Sequence, residues 1–427
     1  MLFKLKFKKR YADTRTTLRQ IWDELSICRE KTLNSRGEKK VMHTWKKSLL
    51  ALIAAGLLGF GPGLSPATAG IAEYNATFYI AGMGGHFAVA DITIVPGDQN
   101  PLHLNNLDRI VIGDNETHPT HDPRIDVNNH EVMFWSTYNI DPDTGQTHVG
   151  KTDLTSGEKL LDINVTTPEG VPHNHDLYCA SAQTREYYLP ISMTNRAYID
   201  VFRKSDLSRV RTVFLEGTEA DIHKPYLFYH GTNTPDMKKL LITINEAEKD
   251  QGRQVGKLHL FLLDMAEIIQ GRVKVLAHNV LPGKPGRTTS FRQYFSPDGK
   301  LLANSGGDRL FLLNGETLEL LDAEMVGPNE DDHDAIFTPD GKYVIATSRT
   351  KEKRDAAAQL SLKNPSPQAE ISGNVGGDDY ILDGQVKLYD VAARKFIGNP
   401  TSICMPCHNQ EEVEEHAVLC GIDANWK

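Results

Sequence analysis

The sequence predicts an all-β protein, a single β-propeller built from four-stranded antiparallel blades, and three observations carry that expectation. First, no long amphipathic helix is evident after residue 70. Second, short runs rich in β-branched and aromatic residues take its place: ATFYIAG (76–82), EVMFWSTY (131–138), EYYLPIS (186–192), KLLITIN (239–245), KLLANSG (300–306), KYVIATS (342–348) and HAVLCGI (416–422). Third, these runs recur at intervals of roughly 57 residues with wide scatter, the range of a blade-sized repeat.

The repeat is visible residue by residue. HDAIFTPDGKYVIATSR, beginning at His333, aligns without gaps on HDPRIDVNNHEVMFWST, beginning at His121. SFRQYFSPDGKLLANSG (290–306) and YHGTNTPDMKKLLITIN (229–245) are two further copies. A strand ending near Asp follows each core, as in HFAVADI, AYIDVFRKSD, KLHLFLLDM, RLFLLNGE and QVKLYDVA, and a fourth short strand such as RVRTVFLE comes after it. Four short strands per copy describe a propeller blade. Seven second-strand runs favour seven blades. The first copy lacks an inner strand and the last lacks outer ones, so six blades result if the chain ends share one. The segment 351–379, rich in Lys, Ala, Ser, Pro and Gly, reads as a long loop inside the sixth copy. The pattern Ser/Thr-Pro-Asp-Gly-Lys followed by Val-x-hydrophobic-x-Asp resembles the secreted YVTN-type propeller repeats. The resemblance spans nearly all of 71–427 and implies fold rather than activity.

Charge divides the chain. Residues 1–69 hold 14 Lys and Arg against 5 Asp and Glu, and the remainder 33 against 51. Residues 42–69 read as a secretory signal peptide: Lys46 and Lys47 lead an apolar run from Ser48 to Phe60, and Ala67-Thr68-Ala69 fits the small-x-small rule before a cleavage site. The run is shorter than the ~20 residues a membrane span needs. The expected mature protein starts near Gly70, is periplasmic or otherwise exported, and has no stable membrane insertion after cleavage. Met42 is the natural start of such a signal, so residues 1–41 read as a mis-annotated extension, with a basic cytoplasmic segment as the alternative. The domain reading is therefore 1–41, 42–69 and a propeller over 70–427. A composition of 40% hydrophobic and 24% charged residues excludes a mostly disordered chain. A net charge of −9 gives no nucleic-acid footprint.

The innermost strand of each blade lines a central channel, so residues at its start converge from sequence-remote positions. His121 and His333 align directly at that place. His230, Arg292 and His408 fall one position on, His118 just precedes His121, and His173 and His175 precede the third inner strand. His86 lies in the turn after the first run. Fifteen of the 16 histidines follow residue 69, and this concentration at blade entrances points to one shared metal site. The expected ligands are His86, His118, His121, His175, His230, His333 and His408, with Asp122 and Asp334 as acceptors that orient the imidazoles. Arg292 takes a place in the ring suited to an anionic substrate. Arg196, Arg309 and Arg349, near the turns after second strands, would join it in holding such an anion, with surface charge as the preferred reading. A His-rich, carboxylate-poor site in an exported protein suits copper, with zinc also possible.

The arrangement resembles the copper propellers of nitrous oxide reductase and thiocyanate dehydrogenase, and THPTHD (117–122) is similar to their paired-His opening. That resemblance implies a copper-dependent oxidoreductase acting on a small inorganic substrate and exchanging electrons with an external carrier protein. The chain lacks a second cupredoxin domain, which removes a built-in electron entry site.

Cys404-Met-Pro-Cys407-His408 supports a rival. CxxCH in an exported protein is the pattern of c-type haem attachment, two thioether cysteines and an axial His. A Cys404–Cys407 or Cys407–Cys420 disulfide, with His408 facing the channel, explains the same residues. The expected functions are thus a copper redox protein, a c-type haem electron carrier, or a non-catalytic binding scaffold, and the sequence alone leaves open whether the protein is an enzyme. N-terminal sequencing of the native protein is expected to find a start within a few residues of Gly70. A membrane-bound protein that retains residues 42–69 would contradict the export reading.

Overall fold

A computed structural model describes residues 73–82, 84–114, 117–138, 144–171, 178–193, 196–250, 252–353, 379–409 and 419–427. The chain divides into two units, Met1–Ala69 and Gly70–Lys427, and every described residue belongs to the second. The expected extension (1–41) and signal (42–69) lie outside the described residues.

The described residues form six four-stranded antiparallel sheets. β1 (Tyr74–Ala81), β2 (His86–Ile94) and β3 (Leu102–Val111) supply three strands of blade I. Blade II is β4 (Thr120–Asp126), β5 (Asn129–Thr137), β6 (Thr147–Asp153) and β7 (Lys159–Val165). Blade III is β8 (Tyr178–Gln183), β9 (Tyr187–Ser192), β10 (Tyr198–Arg203) and β11 (Arg209–Phe214). Blade IV is β12 (Tyr226–Asn233), β13 (Lys239–Ala247), β14 (Gln254–Asp264) and β15 (Val275–Pro282), with the short helix α1 (Met265–Ile269) between the last two strands. Blade V is β16 (Gln293–Phe295), β17 (Leu301–Ser305), β18 (Arg309–Asn314) and β19 (Leu320–Met325). Blade VI is β20 (Glu330–Phe337), β21 (Tyr343–Lys353), β22 (Asp379–Asp390) and β23 (Lys395–Ser402), followed by α2 (Cys404–Asn409). β24 (Ile422–Trp426) then returns to pair with β1 and completes blade I.

That return corrects the preferred count of seven blades to six. The run ATFYIAG is β1, the second strand of blade I. Of the run HAVLCGI, residues 416–418 lie outside the described residues, and its last residue, Ile422, opens β24, the innermost strand of the same blade. The first and last runs therefore belong to one blade. The insertion falls between β21 and β22, whose ladder extends out to the pair Lys353 and Asp379; residues 354–378 lie outside the described residues.

Burial follows the sequence pattern. Inner and second strands are largely buried on both faces because neighbouring blades sandwich them; Leu241, Ile242 and Ile244 supply apolar packing on β13, while the inner strands bury polar groups such as His121 and Asp122. Outer strands alternate: β15 reads intermediate, exposed, intermediate, exposed through Val275–His278. Phe78 on β1 is wholly buried and meets Trp426 of β24 edge-on at 5.6 Å, so an aromatic pair backs the closing ladder. Among the described residues no helix is long and apolar enough to cross a membrane.

The Pro-Asp-Gly turns share one hydrogen-bond scheme. Thr234, Ser296 and Thr338 each donate to Oδ1 of the Asp two residues on, at 2.7, 2.7 and 2.9 Å. That oxygen also accepts from the backbone N–H of Lys238, Lys300 or Lys342, each at 3.1 Å. The next position needs a left-handed backbone, and Gly299 and Gly341 adopt φ of +73° and +71°. The blade IV copy places Met237 there at φ +58°, where a side chain costs about 1–2 kcal/mol. Met237→Gly is expected to raise unfolding stability by about 1 kcal/mol, after allowing for glycine's greater unfolded-state entropy. Denaturant unfolding that shows no gain would contradict this account of the turn.

Candidate metal centre

Each inner strand delivers one side chain to the channel at the same level. Going round, these are His121 on β4, Cys179 on β8, His230 on β12, Phe291 just before β16, His333 on β20 and Cys420 just before β24. Successive contacts close the ring. Cys179 Sγ is 3.8 Å from His121 Nε2 and hydrogen-bonds His230 Nε2. The His230 and Phe291 rings lie 6.2 Å apart, and Phe291 stacks on His333 at 4.4 Å. One ligand atom each from His333, Cys420 and His121 lies within 4.8 Å of the other two. The imidazoles of His121 and His333 stand 5.8 Å apart, edge to face. All six side chains are buried, none more than 3% exposed.

Backbone carbonyls, not the expected aspartates, face the imidazoles. His121 Nδ1 is 3.3 Å from the Cys179 carbonyl oxygen, and His333 Nδ1 is 3.4 Å from that of Cys420. The backbone of Ser290 bonds His230. Each His is thus oriented by the inner strand of the next blade. His121 Nδ1 is also 3.1 Å from Arg292 Nη2. A guanidinium only donates, so this nitrogen either accepts from Arg292 or donates to Cys179. Protonation at Nδ1 leaves Nε2 as a bare lone pair facing the Cys179 sulfur.

Asp122 and Asp334 sit one residue beyond the ring and do other work. Asp122 accepts from Arg292 Nη1 and from Ser181 Oγ. Asp334 accepts the backbone N–H of Ala335 and Ile422, at 2.7 and 2.8 Å. Arg292 is therefore not a ring member open to a substrate. Phe291 takes that place, and the guanidinium lies beneath it, also donating to the His121 carbonyl. Gly421 allows this approach, because a Cβ there would meet Arg292 Nη1 at 2.7 Å and the His121 oxygen at 2.6 Å. Arg349, expected on the surface, is buried; its Nη2 donates to Cys420 Sγ at 3.1 Å and its Nε to the Leu419 carbonyl at 3.0 Å. Arg196 is a surface residue paired with Glu216, and Arg309 pairs with Asp308. On the ring's other side Tyr138 packs against His121 at 4.4 Å, and Met193, Leu227 and Ala247 complete an apolar collar.

Electrostatics fix the protonation state. Burial first, then the Arg292 charge, holds His230 well below the usual imidazole value. Burial, Arg292 and Arg349 do the same for His121 and His333. All three are neutral near pH 7, the form that binds a metal. Burial raises the Cys420 thiol, opposed by Arg349 and Arg292. Cys179 is pushed well up by burial, against Arg292. The ring without a cation is thus neutral imidazole and thiol, with guanidinium groups placed to balance thiolate charge.

The other expected ligands lie elsewhere. His118 forms a separate cluster with His148 and Asp162. His86 sits on β2 with Nδ1 2.8 Å from the Gly84 carbonyl. His173, His175 and the His408 side chain lie outside the described residues. The fifth-blade and first-blade positions carry Phe291 and Cys420, where Arg292 and His408 were expected, and the last inner strand begins at Ile422, fifteen residues beyond Cys407. Sequence reading places neither Cys179 nor Cys420 in the ring; it gives Cys420 a candidate disulfide with Cys407. Counting back from the turn residue Thr184, equivalent to Thr338, places Cys179 in the ring. Cys420 has no turn after it, so no such count reaches it.

No disulfide joins the described cysteines, against the expected Cys404–Cys407 or Cys407–Cys420 pair. Cys404 and Cys407 pack in the seam beside blade I with Ile80, Ala88, Ile403 and Leu419. Arg109 Nε donates to Cys407 Sγ at 3.2 Å. A cavity of about 10 Å³ adjoins the two sulfurs, far below the roughly 300–1,000 Å³ of a cofactor pocket. The described residues around this CxxCH do not fit a haem.

No described protein family matches the sequence, and no curated protein does either. Among solved structures the chain is similar to a chain of the mitotic checkpoint complex, at 11% identity and TM-score 0.41, over 81% of this chain and 87% of that one. It is also similar to a chain of hydrazine synthase from Kuenenia stuttgartiensis, at 12% identity and TM-score 0.40, over 80% and 99%.

Proposed function

We propose that this protein is an exported redox protein that holds copper in its propeller channel, with His121, His333 and Cys420 as the principal donors and Cys179 and His230 extending the set. The observation that carries the proposal is the alternation of His and Cys at one level of the channel, with three donor atoms mutually within 4.8 Å. Two imidazoles and a thiolate in a buried apolar setting are a donor set for copper in electron transfer. Carboxylates, which would favour harder ions, are turned away onto Arg292 and backbone N–H groups.

Copper bound there supplies a one-electron couple. The chain's own residues do the rest. Carbonyls of neighbouring blades fix the imidazoles. Arg349 stabilises Cys420 as thiolate when its proton leaves. Tyr138, Met193, Leu227 and Phe291 exclude bulk water, which keeps the dielectric low and favours rapid electron exchange over hydrolytic side reactions. A site this buried suits an electron from an external carrier protein, or a substrate no larger than a small inorganic molecule.

Anaerobic titration with Cu(I) against a competing chromophoric chelator is expected to show one tightly bound equivalent. Cys420→Ser and His333→Ala should abolish it while far-UV circular dichroism stays β-type. Arg349→Met, which removes a cation beside the sulfur without removing a donor, should weaken binding by about 10–100-fold. Oxidation of the loaded protein should produce thiolate-to-copper charge-transfer absorption that Cys420→Ser lacks. Equal copper binding in wild type and both ligand variants would overturn the proposal.

A further inference from the structure

A second cluster of metal-ligating groups stands apart from the ring, on the outer half of blade II. His118 lies in the segment entering β4, His148 on β6 and Asp162 on β7, and one ligand atom from each lies within 4.8 Å of the other two. His118 Nε2 is 2.9 Å from Asp162 Oδ2, and His148 Nδ1 is 2.9 Å from Oδ1. The two imidazoles are 4.1 Å apart. Their side chains are 11% and 10% exposed and that of Asp162 22%, so the group is sheltered yet reachable from solvent.

Neighbours fix the protons of His118. Thr117 Oγ1 is 2.9 Å from Asp114 Oδ1 and 2.8 Å from His118 Nδ1. A carboxylate only accepts, so the hydroxyl proton goes to Asp114 and the hydroxyl oxygen accepts from Nδ1–H. Nε2 then faces Asp162 either as the second N–H of an imidazolium or as a bare lone pair. The imidazolium would join Lys159, whose Nζ is already 2.8 Å from the same carboxylate oxygen, and would stack against a second imidazole bonded to the other oxygen. The carboxylate has lone pairs for all three donors, but this arrangement sets two cations against one carboxylate and stacks one of them on a second imidazole. A bare lone pair facing a carboxylate repels it, unless a cation lies between them.

We propose that His118, His148 and Asp162 form a binding site for a divalent metal, zinc by donor type, distinct from the channel ring. Two neutral nitrogens and one carboxylate oxygen are the protein ligands of an open zinc site, which keeps a further position for solvent or a small ligand. The Asp114–Thr117–His118 relay supplies the outer hydrogen bond that such a ligand ordinarily has. Tetrahedral bonds of 2.0–2.1 Å set ligand atoms about 3.3 Å apart; the two 2.9 Å contacts run to different carboxylate oxygens, so binding through one oxygen turns one imidazole from its present oxygen onto the shared one. The metal would join β6 and β7 to the segment that leads, three residues later, to His121. The proposal does not depend on copper in the ring.

Metal-free full-length protein carrying Cys420→Ser, which silences the ring, is titrated with zinc against a chromophoric chelator. One equivalent should bind. Loss of an outer hydrogen bond alone costs 10–100-fold in affinity, so Asp162→Asn or His148→Gln should cost about 100-fold or more. His333→Ala should leave zinc affinity unchanged. Cobalt(II) offered to the Cys420→Ser protein should give the visible bands of a nitrogen- and oxygen-ligated ion, an observation that needs no ligand variant to fold. Absence of zinc and cobalt binding in that protein, or equal zinc affinity in the Asp162 and His148 variants, would overturn the site.

Discussion

The antiparallel pairing of β24 with β1 ties the last strand of the chain to the first, and both the propeller and its centre depend on it. Without β24, β1 would present an open edge of unpaired N–H and C=O groups, and Phe78 would lose Trp426. The same strand brings Cys420 and Gly421 to the axis. Cys420 fills the sixth place in the ring and its carbonyl orients His333. Gly421 leaves room for Arg292 and bonds the His121 carbonyl through its own N–H at 3.1 Å. Closing the circle and assembling the centre are one event.

The chemistry of the centre follows from how charge is managed around it. Burying an unpaired charge costs several kcal/mol, and the channel avoids that cost by layering. The ring itself carries only imidazole, thiol and phenyl groups. One residue further, Arg292 and Asp122 neutralise each other, and Asp334 is raised to about 7 by burial. Beyond them Arg124 donates to Tyr294 and the Ser181 carbonyl, both at 2.8 Å. The ionic layers hold the inner strands together from below, and the neutral ring keeps its lone pairs for a cation. Arg349 is the exception, a guanidinium beside a ring sulfur, where it favours the thiolate that a soft metal requires.

Strand identity and blade grammar were legible because they are local: the Pro-Asp-Gly turn and the alternation after it repeat in one short stretch. His121, His230 and His333 were legible for the same reason, each at a countable distance before such a turn. The blade count was not, because the seventh run shares a blade with the first through a contact between the two ends of the chain. Cys420 was hidden likewise, since its strand ends the chain and has no turn to count from. Arg292 and Phe291 are adjacent, and a bulge-sized shift in register decides which one meets the axis. His118 misled by proximity: it stands three residues before a ring histidine, yet its imidazole reaches outward to β6 and β7. The CxxCH spacing was clear in sequence, while the packing of Cys404 and Cys407 into the blade seam is a tertiary fact.

X-ray absorption at the copper edge of the reconstituted full-length protein tests the central claim most directly, because it reads the atoms bound to the metal. The account predicts mixed coordination, imidazole nitrogen together with sulfur, and loss of the sulfur contribution in Cys420→Ser. Coordination by nitrogen and oxygen alone, or a spectrum that Cys420→Ser leaves unchanged, would contradict it.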